Sequence, residues 1–354
     1  KTIIFFVNGL GLGNSTRCLS IINSIKTINK KIKIIVATSG NGYWYFKNRK
    51  NVDALYKMKQ VKYKKKSGKL SALGTILGLK NILNIFNSNT NSAINLINQH
   101  NPKCVITDSF YFFPKIKKKK KFVFMSLNNS DYVFEKFFKS KKKPVSIYPQ
   151  FFFVELLDYL YNLNFHDFVI SPCFVKKAIF IKNKIYRIPP VIRSGLKINK
   201  KKKFNPIIML SGSTFSTQLN EKSEFVKKFS NIHVLGRNSR GKSKKFNYIG
   251  KLKNNSKTLN KYNAAIINAG FSALSEVYLL KKPAIIVPVP NHSEQFFNAK
   301  SLEEMGLAIF SDEKDIFKNL DTLKKKFKLF NQKYSKIKSL NGSNIAANFI
   351  LNKI

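Results

Sequence analysis

Three stretches of the chain combine a glycine turn with side chains that could bind an anion or a sugar. The first, NGLGLGNSTR, runs from Asn8 to Arg17 after an apolar run and leads into a helical pattern. Glycine lets the backbone turn tightly, and the free N–H groups at a helix start attract anions. Gly9, Gly11 and Gly13 do not fit the G-x-G-x-x-G spacing of dinucleotide-binding loops. This stretch alone indicates either an anion site or an ordinary capped turn.

The second stretch is LSGSTFS, from Leu210 to Ser216, directly after another predicted strand. Its turn places a glycine among hydroxyl side chains, at Ser211, Gly212, Ser213 and Thr214. Backbone N–H groups beside hydroxyls suit a diphosphate resting on a helix start. In isolation, a capped turn explains the pattern equally well.

The third and longest stretch, Asn268 to Gly306, predicts a strand, a glycine turn, a helix, a second strand and a loop. Glu276 on the helix could accept hydrogen bonds from two adjacent ribose hydroxyls. The neighbouring Glu294 and Gln295 could bind vicinal hydroxyls of a sugar. Such groups suit the edge where open α/β sheets bind ligands, beyond the carboxyl ends of the strands. A surface carboxylate on the helix and a solvated loop are the alternative interpretations.

The elements that must position these stretches alternate between short β-branched runs and longer helical patterns. In the first half, strands are predicted at Ile3–Val7, Ile32–Thr38, Val105–Asp108, Phe122–Ser126 and Phe168–Ser171, and helices at Thr16–Thr27 and Leu70–Gln99. This alternation is typical of βαβ units around a parallel sheet. Strands without polar alternation suit a sheet that is covered on both faces.

A domain boundary is predicted at RIPPVIR, Arg187–Arg193, because paired prolines stiffen the chain and end a helix. The first domain then spans residues 1–190 and the second spans 191–354, with the last helix expected to pack back on the first domain. In the second domain, strands are predicted at Pro206–Leu210, Ile232–Leu235, Phe246–Ile249, Ala264–Asn268 and Ala284–Val287. Helices are predicted near Ser216–Phe229 and at Ser272–Leu280, Leu320–Ile337 and Asn344–Asn352.

The third stretch resembles the donor-binding segment of GT-B glycosyltransferases. It is most similar to the family of the lipid-linked N-acetylglucosaminyltransferase of peptidoglycan synthesis (glycosyltransferase family 28-like) and to the related predicted UDP-glycosyltransferases of bacteria. The residues that carry the resemblance are Gly270, Glu276, Lys282-Pro283, Glu294-Gln295, Asn298-Ala299, Ser211–Ser213, His233–Gly236, the Thr107-Asp108 strand end and the PPVIR linker. The resemblance implies an α/β fold of the GT-B type, with two Rossmann-like α/β domains facing a central cleft. The N-terminal domain would bind the acceptor and the C-terminal domain the nucleotide sugar.

The resemblance also implies a role for each matching position of the second domain. The diphosphate would be held by Ser211, Gly212, Ser213, Thr214, Gly270, Phe271 and Ser272. Glu276 would bind the ribose, and Gly236 and Leu252 would contact the base. Glu294 and Gln295 would bind the transferred sugar.

The first-domain loop departs from the family at the candidate general base. Gly11, Gly13 and Arg17 match the acceptor loop, but Asn14 stands where the family has a histidine. An amide cannot act as a general base near neutral pH. Asp108, at a strand end, is the candidate replacement. Otherwise the acceptor needs no base, or catalysis has been lost.

The composition is strongly basic, with 65 Lys and Arg against 17 Asp and Glu and a formal net charge of +48. Such a field attracts anionic membranes and polyanions. Nearly all of the excess is lysine rather than the arginine that shaped phosphate recognition prefers, so compositional drift explains it better than selection, and nucleic acid is not an expected partner. Aromatic residues near the basic runs form the predicted membrane-facing patch: Tyr111, Phe112, Phe113, Phe137 and Phe138.

The remaining composition bears on the cellular compartment. Cys18, Cys104 and Cys173 lie far apart without metal-binding spacing, which is typical of a reducing compartment. No apolar run reaches the roughly 18 residues that a membrane span needs. We therefore expect a cytoplasmic protein that is either soluble or peripheral on the inner face of the plasma membrane.

Together these observations predict a glycosyltransferase that moves N-acetylglucosamine or another hexose from a UDP-sugar to a cell-envelope glycan or lipid-linked acceptor. The transfer is expected to be inverting and to need neither metal nor other cofactor. The chain has no DxD-type carboxylate pair, and backbone dipoles can stabilise the leaving diphosphate. The alternatives are a UDP-sugar hydrolase or epimerase on the same scaffold, and a basic binding protein without catalysis.

Overall fold

The computed structural model describes residues 1–60, 65–66, 69–70, 79–119, 121–193, 204–209, 229, 232–236, 241–243, 245–250, 252, 255–338 and 340–354. The chain forms two compact units. The first unit consists of Lys1–Asp131, Tyr159–Val191 and Gly342–Ile354, and the second of Tyr132–Asp158 and Ile192–Asn341. The segment Tyr132–Asp158 from the first half of the sequence thus belongs to the second unit, and Gly342–Ile354 from the second half belongs to the first unit. A single boundary at residue 190 does not describe this exchange.

The first unit is an α/β structure. Its strands are β1 (Thr2–Val7), β2 (Lys33–Thr38), β3 (Ala54–Lys57), β4 (Lys65–Lys66), β5 (Lys69–Leu70), β6 (Cys104–Asp108), β7 (Val123–Leu127), β8 (Phe168–Pro172), β9 (Ile179–Ile181) and β10 (Ile185–Ile188). Its helices are α1 (Gly13–Ile28), α2 (Gly40–Phe46), α3 (Leu79–His100), the 3-10 helix Pro114–Lys119, and the terminal helix α11 (Ser343–Asn352). Two further helices, α4 (Ser130–Lys139) and α5 (Leu156–Phe165), contain the points at which the chain passes between the units.

One eight-stranded sheet organises this unit, in the order β3-β2-β1-β6-β7-β8-β10-β9. β9 is antiparallel to β10, and the other neighbours pair in parallel. Ile3 and Phe5 of the central strand β1 pack with α1 and α11, whereas Ile4 and Phe6 pack with α3. Both faces of β1 are therefore buried, which explains why this strand carries no alternating polar residue.

The second unit repeats the architecture. Its strands are β11 (Pro206–Met209), β12 (Ile232–Leu235), β13 (Gly241–Lys242), β14 (Phe246–Gly250), β15 (Ala264–Asn268), β16 (Ala284–Val287) and β17 (Ala308–Phe310). Its helices are α6 (Asn255–Leu259), α7 (Phe271–Leu279), α8 (Ser293–Glu304), the 3-10 helix Glu313–Asp315, α9 (Ile316–Lys325) and α10 (Phe327–Ser335). The sheet order is β13-β14-β12-β11-β15-β16-β17, with β13 antiparallel to β14 and the other neighbours parallel.

The segment Tyr132–Asp158 adds an aromatic layer to the second unit. After α4 it forms the 3-10 turn Val145–Ile147, the helical turn Tyr148–Gln150 and the π-helical turn Phe151–Glu155, which leads into α5. The rings of Phe137 and Phe151 stack with their centroids 3.5 Å apart. Both belong to a buried cluster with Phe296 and Phe297 of α8. Within the part of the chain that the structure describes, no helix is long and apolar enough to cross a membrane.

The predicted fold class is confirmed, and the predicted strands lie within two residues of the observed ones wherever they are described. The single helix predicted at Leu320–Ile337 is wrong, because the backbone leaves the helical conformation at Lys326 between α9 and α10. The apolar spacing from Leu323 to Tyr334 continues across this break, so periodicity could not show it. The helix predicted from Leu70 begins only at Leu79 among the described residues, and most of the helix predicted near Ser216–Phe229 lies outside them.

Candidate functional site

The turn between β15 and α7 opens the candidate site of the second unit. Gly270 precedes α7 in an extended conformation and gives the helix no side-chain cap. The first intrahelical hydrogen bonds are donated by the N–H groups of Ala273 and Leu274 to the Gly270 oxygen, so the amides of Phe271 and Ser272 precede this ladder. Among the described residues, none has a heavy atom within 4 Å of a Cβ built on Gly270. This part of the chain therefore leaves the helix start uncrowded, and it could receive an anion.

Glu276 lies in the second turn of α7 and is only 9% exposed. The hydroxyl of Ser256 donates a hydrogen bond to its Oε1 at 2.5 Å. Burial raises the pKa of Glu276, while this hydrogen bond and the charge of Arg193 lower it. Within the described residues the carboxylate is held at Oε1 by a residue of α6, and Oε2 could accept further hydrogen bonds.

Glu294 and Gln295 lie in the first turn of α8. The Asn298 side-chain amide donates to Glu294 Oε1 at 3.2 Å and to the carbonyl of Ala269 at 3.4 Å. This amide links Glu294 to the turn that precedes α7. Gln295 Oε1 accepts the N–H of Val289 at 3.0 Å, so part of this side chain holds the loop after β16. The structure therefore brings Glu294 and the Gly270 turn together at the carboxyl edge of β15 and β16.

Glu155 joins this edge from the distant segment Tyr132–Asp158, and no motif or spacing pattern pointed to it. Oxygen or nitrogen atoms of Glu155, His292 and Glu294 lie within 4.8 Å of one another, a set that could hold a metal ion. Gln150 donates to Glu155 Oε1 at 2.6 Å and accepts the N–H of Ser293 at 2.9 Å, which fixes the buried carboxyl beside α8. The expectation of no metal rested on the missing DxD pattern, which cannot reveal a set assembled from separate segments.

Burial disfavours the charged forms of Glu155 and His292 in this cluster. Burial and then the negative charge of Glu294 raise the pKa of Glu155, against a lowering by the Gln150 hydrogen bond. Burial lowers the pKa of His292, opposed by Glu294. The Nδ1 atom of His292 is buried and has no hydrogen-bond partner among the residues that the structure describes. A cation bound between these groups would offset the unfavourable burial of a charged Glu155 beside Glu294.

The remaining predicted donor residues are placed only in part. The N–H of Gly236, just after β12, donates to the carbonyl of Gly250 at 3.1 Å. Both glycines have positive φ, 99° and 85°, a conformation that side-chain-bearing residues rarely adopt. Leu252 is half-buried. The predicted diphosphate residues Ser211, Gly212, Ser213 and Thr214 lie outside the described residues.

In the first unit, the loop after β1 is a close-packed turn. A Cβ on Gly9 would lie 1.6 Å from the carbonyl oxygen of Ser39, so only glycine fits there. A Cβ built on Gly11 would meet no heavy atom of the described residues within 4 Å. Gly13 begins α1, and Asn14 is half-buried in its first turn. The loop therefore has one glycine required by packing and one that leaves room in front of the helix.

Asp108 and Arg17 form a buried ion pair. Arg17 Nη2 lies 2.6 Å from Asp108 Oδ1, and Arg17 Nε lies 3.0 Å from Oδ2. The Cys18 thiol donates to the same Oδ2 at 3.2 Å, and burial followed by the Asp108 charge raises the pKa of this thiol. The guanidinium thus occupies both oxygens of this carboxylate, in the bidentate geometry of a strong structural pair. The geometry therefore gives Asp108 and Arg17 a structural role in fixing α1 to the end of β6.

A depression lies at the carboxyl ends of the strands of this unit. It is lined by Asn8, Leu10, Ser39, Lys59, Asn89 and Tyr111, among others. The Asn89 side chain holds the backbone of Lys59 through hydrogen bonds of 3.0 and 2.9 Å. Neither a carboxylate nor a histidine lines the depression in the part of the chain that the structure describes. Its chemistry is that of a polar and aromatic binding surface with one cationic side chain.

Two parallel-sheet α/β units, each with a glycine turn at the carboxyl edge of its sheet, define the class of GT-B glycosyltransferases. The model of the family described as Glycosyl transferase family 1 matches residues 1–327, and the chain belongs to this family. The resemblance found in the sequence is thereby confirmed at the level of the GT-B glycosyltransferases, and the protein is an enzyme of this type. Among curated protein sequences, none matches the chain.

Solved structures share the fold across the whole chain. The structure of MurG from Acinetobacter baumannii is 13% identical, with a TM-score of 0.60 and 99% of each chain covered. Arabidopsis thaliana UGT89C1, complexed with UDP, is 13% identical, with a TM-score of 0.63 and 100% of each chain covered. The Streptomyces glycosyltransferase SsfS6, complexed with thymidine diphosphate, is 10% identical, with a TM-score of 0.61, and 98% of this chain and 99% of that chain are covered.

Proposed function

We propose that the second unit binds a UDP-sugar and that the enzyme transfers its hexose, N-acetylglucosamine or a related sugar, to an acceptor bound by the first unit. The observation that carries the proposal is the buried carboxylate of Glu276 behind the open Gly270 turn, with Glu294 at the same sheet edge. Hydroxyl-rich ligands need such acceptors, and diphosphates need the helix start beside them. One sheet edge thus offers groups for every part of a nucleotide sugar.

The nucleotide is proposed from both the site and its relatives. Gly270, Phe271 and Ser272 would receive the diphosphate, Glu276 the ribose, and the strand-end glycine Gly236 the base. The UDP complex of UGT89C1 and the thymidine diphosphate complex of SsfS6 support a pyrimidine nucleoside diphosphate as the leaving group. We propose UDP because the sequence resemblance is to UDP-sugar enzymes.

We propose an inverting transfer that needs no metal. The positive end of α7 would stabilise the negative charge that develops on the leaving diphosphate. Glu294 and Gln295 would orient the sugar so that the acceptor attacks the anomeric carbon from the opposite face. The acceptor oxygen then forms the new glycosidic bond as the bond to the diphosphate breaks, and the acceptor loses its proton to solvent or to a base.

The acceptor is proposed to be a cell-envelope glycan or a lipid-linked sugar, held at the depression of the first unit. Tyr111 and Leu10 offer apolar contact there, and Lys59 offers a positive charge. Asn14 cannot act as a base, and Asp108 is committed to Arg17. An acceptor nucleophile that needs little basic assistance agrees best with these residues. We place the enzyme in the cytoplasm, peripheral on the inner face of the plasma membrane.

The decisive experiment is UDP release from a panel of UDP-sugars, with and without a polyprenyl-phosphate-linked saccharide acceptor. A transferase releases UDP at a substantial rate only when the acceptor is present. Acceptor-independent UDP release would indicate a hydrolase, and interconversion of sugars would indicate an epimerase. If no UDP-sugar is turned over while another nucleotide sugar is, the proposed donor is wrong.

A further inference from the structure

The segment Tyr132–Asp158 exposes an unusual number of large apolar side chains. Six lie within it, and we name this set the apolar ridge: Phe138, Val145, Phe152, Phe153, Val154 and Leu157. Phe153 and Val145 are each 76% exposed. Scattered apolar residues are normal on a protein surface, but a contiguous set marks an interaction site. Four of the six, Phe152, Phe153, Val154 and Leu157, lie on the consecutive helical turns Phe151–Glu155 and Leu156–Phe165.

The packing of the segment explains why the ridge points outward. Phe151 is fully buried against Phe137, and Glu155, four residues further, is buried as well. Residues four apart lie on one helix face, so these two fix the face that packs inward. Phe152, Phe153 and Val154 fall between them and must occupy the other side of the helix. Their exposure is therefore a consequence of well-packed neighbours rather than of a loosely held loop.

Lysine residues lie beside the ridge in the sequence, and two of them, Lys136 and Lys139, are ion-paired with Glu304 and Glu135. Residues 136–154 contain five lysines and no acidic residue, and they include the run Lys141, Lys142 and Lys143. Lys141 and Lys142 are exposed. Lys143 Nζ lies 4.7 Å from the centroid of the Phe137 ring, so this ammonium group is held at the base of the aromatic layer. The surface thus combines protruding apolar groups with positive charge beside them.

We propose that the apolar ridge docks the enzyme on an anionic lipid bilayer. Apolar side chains would enter the boundary between headgroups and acyl chains, and Lys141 and Lys142 would contact lipid phosphates. A second copy of the chain is disfavoured as the occupant because each copy carries a net charge of +48 and repels the other. The surface differs from the one predicted from the sequence, since Phe112 and Phe137 are buried core residues.

This inference deepens the proposed membrane location, and its test measures lipid binding rather than sugar transfer. The full-length protein is sedimented with vesicles of phosphatidylcholine alone or mixed with phosphatidylglycerol. We expect binding to the mixed vesicles and a loss of at least about tenfold in affinity for the triple variant Phe152→Ser/Phe153→Ser/Val154→Ser. The variant Lys141→Gln/Lys142→Gln should lose roughly fivefold per charge removed. The control Phe180→Ser/Leu329→Ser, at exposed positions outside the ridge, should bind like the wild type.

A second measurement detects contact with the vesicle directly, through tryptophan fluorescence, in a variant that still binds. Trp44 is the single tryptophan, so Phe153→Trp adds one reporter at the most exposed ring of the ridge. Its emission should shift to the blue with mixed vesicles, in a protein that melts like the wild type. Unchanged emission, or equal vesicle binding by the triple variant, overturns the proposal. A dimer in solution that the triple variant dissociates also overturns it, in favour of a second copy. UDP release with a water-soluble acceptor should persist in all variants, which separates this test from that of the proposed function.

Discussion

Replacing Glu276 by glutamine tests the donor site with little disturbance of the fold. Ser256 already donates to Oε1 at 2.5 Å, and the glutamine carbonyl can accept this hydrogen bond in the same place. The change converts Oε2, the oxygen proposed to accept a ribose hydroxyl, into an amide that can only donate. Because burial raises the pKa of Glu276, a neutral side chain at this position should not destabilise the free enzyme.

The expected loss follows from one charged hydrogen bond. Such a bond contributes about 1.5–3 kcal/mol, so the Kd for UDP should rise roughly 10- to 150-fold. At a UDP concentration of about 100 times the wild-type Kd, the ligand stabilises the wild type by about 2.7 kcal/mol and the variant by about 0.3–1.4 kcal/mol. For units of this size each kcal/mol corresponds to about 2–4 °C in Tm. The UDP-induced shift should therefore fall to about half of the wild-type shift or less.

Thermal unfolding with and without UDP measures this shift in wild type, Glu276→Gln and the control Asp312→Asn, which changes an exposed carboxylate. The control should keep the full shift. An equal shift in Glu276→Gln and wild type would refute the placement of the ribose at Glu276. A variant that melts much lower without ligand would show that the carboxylate is structural instead.

Three further predictions concern the rest of the molecule. Glu155→Gln should stabilise the protein increasingly as the pH rises above about 4.5. Burial raises the pKa of this carboxyl in the folded protein, so the wild type loses stability as the carboxyl ionises in the unfolded state. Melting curves at several pH values measure this, and parallel pH dependences of the wild type and the variant would contradict it. Gly9→Ala should lower the free energy of unfolding by about 1–3 kcal/mol because the added Cβ would overlap the Ser39 oxygen, whereas Gly11→Ala should be nearly neutral. Equal denaturation midpoints for the two variants would refute the packing argument. A chelator should leave the rate of sugar transfer unchanged. If the chelator instead abolishes transfer, and Mn²⁺ or Zn²⁺ restores it in the wild type but not in His292→Ala, the cluster of Glu155, His292 and Glu294 binds a metal.

Much of the fold could be predicted because buried parallel strands are unbroken apolar runs. β15 and β16 were bounded correctly at both ends, since a glycine turn and a proline follow them. The same local signals placed Gly270 just before α7 and Glu276 within this helix. These features depend on residues that are close in sequence, where backbone preferences and hydrophobic periodicity act directly.

The rest depends on contacts between distant residues. Ser256 and Glu276 are 20 residues apart and are joined by a hydrogen bond between α6 and α7, a pair that no spacing rule predicts. Glu155 lies in a stretch that looks like an ordinary apolar helix, and its place beside Glu294 follows from the stacking of Phe137 on Phe151. The ion pair of Arg17 and Asp108 likewise gives Asp108 a partner that the sequence could not reveal.

The exchange of segments between the two units has a consequence for engineering. The chain passes between the units four times, after Asp131, Asp158, Val191 and Asn341. A fragment ending near Val191 would lack α11, whose Ala346 and Ile350 fill the core around α1. It would also carry the rings of Phe137 and Phe151 without the α8 residues that cover them. A chimera that borrows the donor-binding half of a related enzyme should therefore transplant residues 132–158 together with 192–341 and keep the native C-terminal helix.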